Sequence, residues 1–267
     1  MPIVNLKSGP VFYRESGAGN PLILLHANPG DSRDFDAIVP ALAAKFRVFA
    51  LDWPGYGSSP APNPDINVHP DFYLDVLKQV VVELEIHRPI LLGNSVGGFV
   101  AARYALECPE NTRALALVSP GGFTHHNLMT RFFCRLMSGP LAIPPGILAR
   151  YYLRSNTNVV RQMKKRATQE QSLAVSRDIN RGIWRSFADP DHDLKALAAN
   201  LTLPVLLAFG KLDPLIPASK DGRVARALMP DAVYSEFESG HAPFAELPQT
   251  FLATLLAFFK DSNITSD

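Results

Sequence analysis

The stretch Leu91-Leu92-Gly93-Asn94-Ser95-Val96-Gly97-Gly98-Phe99-Val100 decides how the rest of the chain is interpreted. An apolar run feeds a Gly-x-Ser-x-Gly turn, and a small-residue helix follows. This order of strand, sharp turn and helix exposes a serine hydroxyl above the edge of a sheet. A serine hydroxyl is a weak nucleophile at neutral pH, so a catalytic Ser95 requires a base and a group that orients the base. Without such partners, the stretch is only a tightly packed turn.

Composition predicts one large α/β domain, with room for an inserted piece. The chain has 267 residues, of which 47% are hydrophobic and 19% are charged, and these values are typical of a globular protein with a large core. No apolar run is long enough to cross a membrane, and no basic and apolar leader opens the chain. We therefore expect a cytoplasmic protein with no membrane partner. Cys108 and Cys134 show no metal-binding or disulfide spacing, which argues against both kinds of site.

Charge is distributed unevenly along the chain. The segment from Gly121 to Ala188 carries eleven Arg and Lys residues but only two acids, Glu170 and Asp178. Nucleic-acid binding is one interpretation of a basic segment, but no interleaved aromatic platform accompanies it, so we expect no nucleic-acid partner. Solvated helix faces and attraction of an anionic substrate are the other two interpretations.

Alternating elements predict a parallel, doubly wound sheet. A hairpin is expected first, and buried strands then alternate with helices, one of them at about 33–44. The predicted strands are Ile3–Leu6, Val11–Glu15, Leu22–Leu25, Phe46–Leu51, 89–93, Ala114–Val118, Pro204–Phe209 and Ala232–Phe237.

The alternation stops between the sixth and seventh predicted strands. From Gly121 to about Asn200 only helices are expected, at roughly 126–138, 145–154, 158–173 and 175–187. We therefore predict a core domain of residues 1–121 and 200–267, with a helical cap of residues 122–199 inserted after the sixth strand. Such an insert is expected to lie over the site as a lid.

Two later strand ends supply partners for the serine. Asp213 follows the strand that ends at Phe209, and His241 follows the strand that ends at Phe237. Because catalytic groups in open α/β sheets gather beyond the carboxyl ends of the strands, Ser95, Asp213 and His241 are expected on one rim. Their order along the chain, Ser then Asp then His, is that of the α/β-hydrolases. His26 also ends a strand, but it belongs to the turn described next. No predicted strand delivers the remaining histidines to the rim, namely His69, His87, His125, His126 and His192.

A developing oxyanion also needs hydrogen-bond donors. The backbone amide of Val96, at the start of a helix, is one candidate. The amide of Asn28, in the turn His26-Ala27-Asn28-Pro29-Gly30, is the other. We expect His26 to brace this turn rather than to take part in chemistry.

These motifs together resemble the α/β-hydrolase superfamily, in its serine-nucleophile branch with a helical cap. Ala27 replaces the glycine of that family's oxyanion turn. The resemblance implies an α/β-hydrolase fold with a mostly parallel eight-stranded sheet flanked by helices. It also implies a cofactor-free, metal-free hydrolase of a small-molecule substrate. A serine at position 95 argues against the branches whose nucleophile is a carboxylate. The matching segments are 26–30, 52–58, 93–98, 210–213, 240–241 and 246–248.

Three functions remain open at this point. The first is hydrolysis of a small hydrophobic carboxylic ester through an acyl-enzyme. The second is carbon–carbon bond hydrolysis of an anionic vinylogous diketone, because Gly93–Gly98 and Ser119-Pro120-Gly121-Gly122 are similar to meta-cleavage hydrolases, and Arg177 lies where that family binds substrate. The third is a catalytically idle protein that binds a small ligand. Cap aromatics are expected to line the pocket: Phe132, Phe133, Tyr151, Tyr152 and Trp184. The oligomeric state does not follow from the sequence.

Overall fold

The structure, a computed structural model, describes residues 2–63, 65–170 and 174–264. Eight strands form one sheet in the order β1-β2-β4-β3-β5-β6-β7-β8. β1 and β2 form an antiparallel hairpin, β2 pairs antiparallel with β4, and every other pairing is parallel. The strands are β1 Ile3–Leu6, β2 Gly9–Ser16, β3 Pro21–Leu25, β4 Arg47–Leu51, β5 Ile90–Asn94, β6 Ala114–Val118, β7 Val205–Gly210 and β8 Val233–Phe237.

Helices cover both faces of the sheet and fill the connection between β6 and β7. The central strands β5, β6 and β7 are buried along their whole length, as expected for parallel strands sandwiched between helices. The α-helices are α1 Val39–Ala43, α2 Pro70–Glu83, α3 Val96–Glu107, α4 Leu128–Met137, α5 Pro145–Tyr152, α6 Asn158–Glu170, α7 Ala174–Ser186, α8 Arg223–Leu228, α9 Pro243–Glu246 and α10 Pro248–Asp261.

The helix predicted at 33–44 is wrong, because the chain breaks it in two. A 3₁₀ turn covers Ser32–Phe35, and α1 begins only at Val39. Pro40, the second residue of α1, has no N–H and would clash with a preceding helical turn, so it is accommodated only at a helix start.

Helices α4 to α7 lie where the sequence predicted an all-helical insertion. Each begins and ends within three residues of the predicted bounds, except that 171–173 of the predicted helix 158–173 lie outside the described residues. No strand occurs in the described part of residues 122–199, which we call the inserted segment. Its division from the core as a separate cap domain stays a prediction.

Candidate active site

Ser95 lies at the turn between β5 and α3 in a backbone conformation that is uncommon for a residue with a side chain. Its φ is 57° and its ψ is −116°. Backbone bonds hold this turn, because the Ser95 amide donates to the Val118 carbonyl at 3.0 Å and the Gly121 amide donates to the Ser95 carbonyl at 3.0 Å. The strained geometry is therefore supported by the neighbouring strand β6.

Two glycines are required at this turn because other backbone passes close to them. A Cβ on Gly93 would lie 2.2 Å from the Gly97 carbonyl oxygen, and a Cβ on Gly97 would lie 2.3 Å from the Leu25 carbonyl oxygen. Both distances are far below van der Waals contact. The spacing of glycines around Ser95 thus follows from the packing of β5, α3 and β3.

Asp213 and His241 meet at the carboxyl end of the sheet, as expected from their positions after β7 and β8. His241 Nδ1 lies 2.6 Å from Asp213 Oδ2, and both side chains are buried. The other carboxylate oxygen of Asp213 accepts the amides of Leu215 at 2.9 Å and Ile216 at 3.2 Å. Because both oxygens are engaged, the carboxylate has a fixed orientation and in turn orients the imidazole.

Glu246 holds the loop that carries His241, a function that the sequence did not reveal. Its buried carboxylate accepts the amides of Gly240 at 3.1 Å and Ala242 at 3.2 Å, on either side of the histidine. It also accepts the amides of Arg154 at 2.8 Å and Ser155 at 3.1 Å, just beyond α5. One carboxylate therefore ties the His241 loop to the inserted segment. The only sequence signal was the Glu-x-Pro motif of the resemblance, to which no role was assigned.

Further bonds fix the His241 backbone from two directions. The His241 amide donates to the Tyr152 carbonyl at 3.0 Å, and the Tyr152 ring lies edge-on to the imidazole at 5.3 Å. Asn94, next to Ser95, donates its side-chain amide to the carbonyls of Val118 and His241, each at 3.0 Å. The nucleophile turn and the histidine loop are thus joined directly.

The turn that carries Asn28 is braced by His26. The Trp53 amide donates to His26 Nε2 at 2.9 Å, and His26 Nδ1 lies 2.7 Å from the Ala27 carbonyl. Complete burial lowers the pKa of His26, so the ring is neutral, with its proton on Nδ1. The Asn28 side chain is oriented by Tyr56 and by Asn180 of α7. Val96, the other predicted oxyanion donor, is the first residue of α3, where amides have no acceptor within their own helix.

A buried charge cluster lies beneath the same turn. Arg166 of α6 contacts the carboxylates of Asp31, at 2.9 Å, and Asp34. The hydrogen bond from Arg33 and the nearby Arg166 guanidinium lower the pKa of Asp31 against the opposing effect of burial. Burial, reinforced by the neighbouring Asp31, raises the pKa of Asp34 to about 7. Arg166, one of the eleven basic residues between Gly121 and Ala188, thus joins the inserted segment to the core.

One cavity brings the predicted residues together. Ser95, His241, Asn28 and Trp184 all line it, and its volume is about 840 Å³ including the solvent at its mouth. The remaining lining is mostly apolar and comes largely from the inserted segment. Its other members are Gly121, Gly122, Thr124, His126, Thr130, Phe133, Cys134, Leu148, Tyr152, Ile183, Phe187, His192, Leu215 and Ile216.

Several expected lining residues lie elsewhere. Phe132 and Tyr151 are 70% and 56% exposed, so the prediction that they line the pocket is wrong. Each directly precedes a residue that does line it, and on a helix such neighbours point about 100° apart. Arg177 is exposed on α7 and is not among the lining residues, so a substrate-binding role for it finds no support. Conversely, His126 and His192 line the cavity although the sequence had set them aside.

In the described part of the chain, one group of side chains has the composition of a metal site. Its ligand atoms lie within 4.8 Å of one another, and its members are His69, Asp71 and His192. His192 Nε2 lies 3.0 Å from Asp71 Oδ2, and Arg103 lies 3.4 Å from the other oxygen. His192 Nδ1 is buried without a hydrogen-bond partner among the described residues. Whatever else it does, the His192–Asp71 contact links the inserted segment to α2.

Comparison with known proteins agrees with this geometry. A family model described as alpha/beta hydrolase fold matches residues 20–248. The chain belongs to the α/β hydrolase fold family. The mostly parallel eight-stranded sheet and its flanking helices are thereby confirmed. The members of this superfamily are hydrolases, and this chain is one of them.

Relatives of this α/β hydrolase include enzymes named as esterases. A pimeloyl-[acyl-carrier protein] methyl ester esterase of Pectobacterium atrosepticum is 27% identical, covering 93% of this chain and 98% of the relative. An uncharacterized protein of Mycobacterium tuberculosis is 28% identical, covering 90% and 75%. A thermophilic esterase from Thermogutta terrifontis superposes with a TM-score of 0.80 at 19% identity, covering 99% of both chains. At that identity, the superposition shows the fold alone. No helix in the described residues is long and apolar enough to cross a membrane.

Proposed function

We propose that this α/β hydrolase cleaves a small, uncharged carboxylic ester with a hydrophobic acyl group. The observation that carries the proposal is the shared cavity. Ser95, on its strained turn, and the Asp213–His241 pair line or adjoin one apolar space. Relatives named as methyl ester esterases support ester hydrolysis in general.

In this proposal Ser95, His241 and Asp213 act as a triad. His241 Nε2 takes the proton of Ser95 Oγ as the oxygen attacks the ester carbonyl, and Asp213 stabilises the imidazolium that forms. The amides of Asn28 and Val96 hold the oxyanion of the tetrahedral intermediate. His241 then gives its proton to the departing alcohol. Water, activated by the same imidazole, attacks the acyl-enzyme and releases the carboxylic acid.

The cavity chemistry favours this reaction over the carbon–carbon alternative. No Arg, Lys, Asp or Glu side chain is among the described residues that line the cavity. An anionic dienoate would therefore enter an apolar space without a cationic partner, at a considerable desolvation cost. An uncharged ester with an apolar acyl chain has no such cost and gains from burial.

The test is hydrolysis of p-nitrophenyl esters of increasing acyl length, with wild type beside Ser95→Ala. We expect kcat/KM to rise about fourfold for each added methylene until the closed end of the cavity is reached. Ser95→Ala should lose activity by several orders of magnitude. Ser138→Ala, in the inserted segment and outside the cavity lining, is the matched control and should keep full activity.

Two further outcomes separate the alternatives. If wild type and Ser95→Ala are equally inert on every ester but an anionic dienoate is turned over, the carbon–carbon reaction replaces the proposal. If a fluorophosphonate also fails to label Ser95, while a hydrophobic ligand binds with the expected stoichiometry, the protein is a catalytically idle binder.

A further inference from the structure

Exposed large apolar side chains are concentrated in one stretch of the inserted segment, which spans α4, α5 and the turn between them. Twelve large apolar side chains are exposed in the described residues, and six of them fall in the short stretch between Leu128 and Tyr151. They include three of the most exposed, namely Leu128 at 87%, Met129 at 80% and Leu141 at 80%. Scattered apolar residues are normal on a surface, but such a concentration marks an interaction site. The six are Leu128, Met129, Phe132, Leu141, Ile147 and Tyr151.

Helices α4 and α5 each present one face to the cavity and another to the outside. On α4, Phe133 and Cys134 line the cavity, whereas Leu128 and Phe132, one turn apart, are exposed. On α5, Leu148 and Tyr152 line the cavity, whereas Ile147 and Tyr151, also one turn apart, are exposed. Because residues four apart share a helix face, each helix has an apolar outer face that belongs to the wall of the cavity. We call these six exposed residues the outer apolar face.

The charged side chains on the elements that carry the outer apolar face are all positive, and the nearest acids are the exposed Asp189 and Asp191 on either side of Pro190. No Asp or Glu occurs between Gly121 and Gln169. Arg131 and Arg135 of α4 share a surface groove with Arg185 of α7. None of these three arginines forms a salt bridge with a carboxylate in the described part of the chain. Like charges held together without anionic partners are complementary to an anionic surface.

We propose that the outer apolar face and its arginines dock this protein on an anionic phospholipid surface. Exposed Leu, Met and Phe on a helix flanked by arginines form the pattern of a helix that lies in the membrane interface. The apolar side chains enter the boundary between headgroups and acyl chains, and the arginines meet the anionic headgroups. A polyanion without apolar groups would account for the arginines but would leave six apolar side chains in water, whereas a lipid surface accommodates both. Docking requires no membrane-spanning helix and revises the expectation that the protein has no membrane partner.

The docking face forms the outer side of the wall whose inner side lines the cavity. An ester dissolved in the lipid phase would therefore be held at high local concentration beside the cavity. Binding to lipid is measured without any substrate, so its outcome is independent of whether the protein hydrolyses esters.

The experiment is sedimentation of the full chain with vesicles of phosphatidylcholine, with and without phosphatidylglycerol, across a range of salt. We expect binding to the anionic vesicles that weakens as salt rises, by about fivefold in affinity for each arginine contact that is lost. The double variant Leu128→Ser/Phe132→Ser should lose at least about tenfold in affinity. Its matched control is Val82→Ser, because Val82 is 71% exposed on α2. Arg131→Glu should also weaken binding to the vesicles. Lys45→Glu, at an exposed residue outside the inserted segment, should not.

Three results would overturn the proposal. The first is equal sedimentation with and without phosphatidylglycerol. The second is that the Leu128→Ser/Phe132→Ser variant binds anionic vesicles as tightly as wild type, and that wild type binds polyglutamate as tightly as it binds vesicles. This result would assign the arginines to an acidic protein partner. The third is a wild-type protein that forms a dimer in solution and does not bind vesicles, while the double variant is a monomer. This result would make the face an interface between two copies of the chain.

Discussion

The carboxyl edge of the sheet and the inserted segment form the two sides of one cavity, but they are held by different forces. At the sheet edge, backbone and carboxylate hydrogen bonds fix Ser95, Asp213 and His241. In the inserted segment, the cavity wall consists largely of apolar side chains packed on one another, such as Phe133 against Trp184 at 5.5 Å. Hydrogen bonds are directional, whereas apolar packing tolerates replacement by side chains of similar volume. For the proposed ester hydrolysis, this difference would fix the reaction chemistry on one side and let acyl selectivity vary on the other.

The largest expected effect comes from Asp213→Asn. This change keeps the shape of the side chain but removes the charge that stabilises the imidazolium. In the proposed triad, kcat should fall by about 10³- to 10⁴-fold at neutral pH. Kinetics on the best p-nitrophenyl ester, with thermal unfolding as the fold control, checks this. A fall of less than tenfold in a fully folded variant would remove Asp213 from the chemistry.

Glu246→Gln tests whether the sheet edge depends on the inserted segment. The amide replaces one acceptor with a donor that faces backbone N–H groups, so the His241 loop loses part of its support. We expect kcat to fall by about 10- to 100-fold while KM changes little, because the base is displaced but the cavity is not. Glu238→Gln, at an exposed carboxylate eight residues earlier in the chain, is the control. If KM rose by the same factor by which kcat fell, the cavity itself would have changed.

Phe133→Ala and Phe132→Ala compare the inner and outer sides of one helix. Phe133 lines the cavity, so its removal should lower kcat/KM for the longest accepted acyl chain by about tenfold, since less apolar surface is buried. Phe132 is 70% exposed, and its removal should change kcat/KM on a water-soluble ester by less than about twofold. Acyl-length profiles of both variants measure the difference. Equal losses would contradict the assignment of inner and outer faces.

The last predicted effect is on stability rather than on activity, and it is a pH dependence at Asp34. Its pKa is raised from 3.8 to about 7 in the folded protein, so the folded state binds more protons than the unfolded state between these values. The free energy of unfolding should therefore fall as pH rises through this range, by up to about 1.4 kcal/mol per pH unit from this group. In Asp34→Asn this contribution disappears, so the free energy of unfolding should fall less steeply with rising pH than it does in wild type.

Urea unfolding at several pH values between 4 and 8 measures the two slopes. Asp36→Asn, at a half-exposed carboxylate two residues away, is the control for the substitution itself. Identical slopes in wild type and Asp34→Asn would show that Asp34 titrates normally.

The core was predictable because its signals are local. Buried parallel strands appear as continuous apolar runs, and the Gly-x-Ser-x-Gly turn has the spacing that its close backbone contacts demand. The pairing of Asp213 with His241 followed from the rule that the carboxyl ends of parallel strands meet at one edge. Each of these inferences needed only a short stretch of sequence and a topological rule.

The inserted segment was predictable only in part, because its side-chain directions depend on distant partners. Helical periodicity located α4 and α5 but did not show that Phe133 faces inward and Phe132 outward. The role of Glu246 was hidden because its partners are backbone amides, which leave no trace in the sequence. Likewise, the pairing of Arg166 with Asp31 and Asp34 joins residues more than 130 positions apart.

That ion cluster limits how this protein can be recombined with its relatives. A chimera that replaces residues 122–199 with the corresponding segment of another family member would remove Arg166. Asp31 would keep Arg33 as a partner, whereas Asp34 would stay buried without a cation. Such an exchange should lower stability whatever it does to selectivity, since removing one partner of a buried ion pair is destabilising. Exchange of this segment between family members therefore requires one of two things. The new segment must carry an arginine at the equivalent helix position, or Asp31 and Asp34 must be neutralised together.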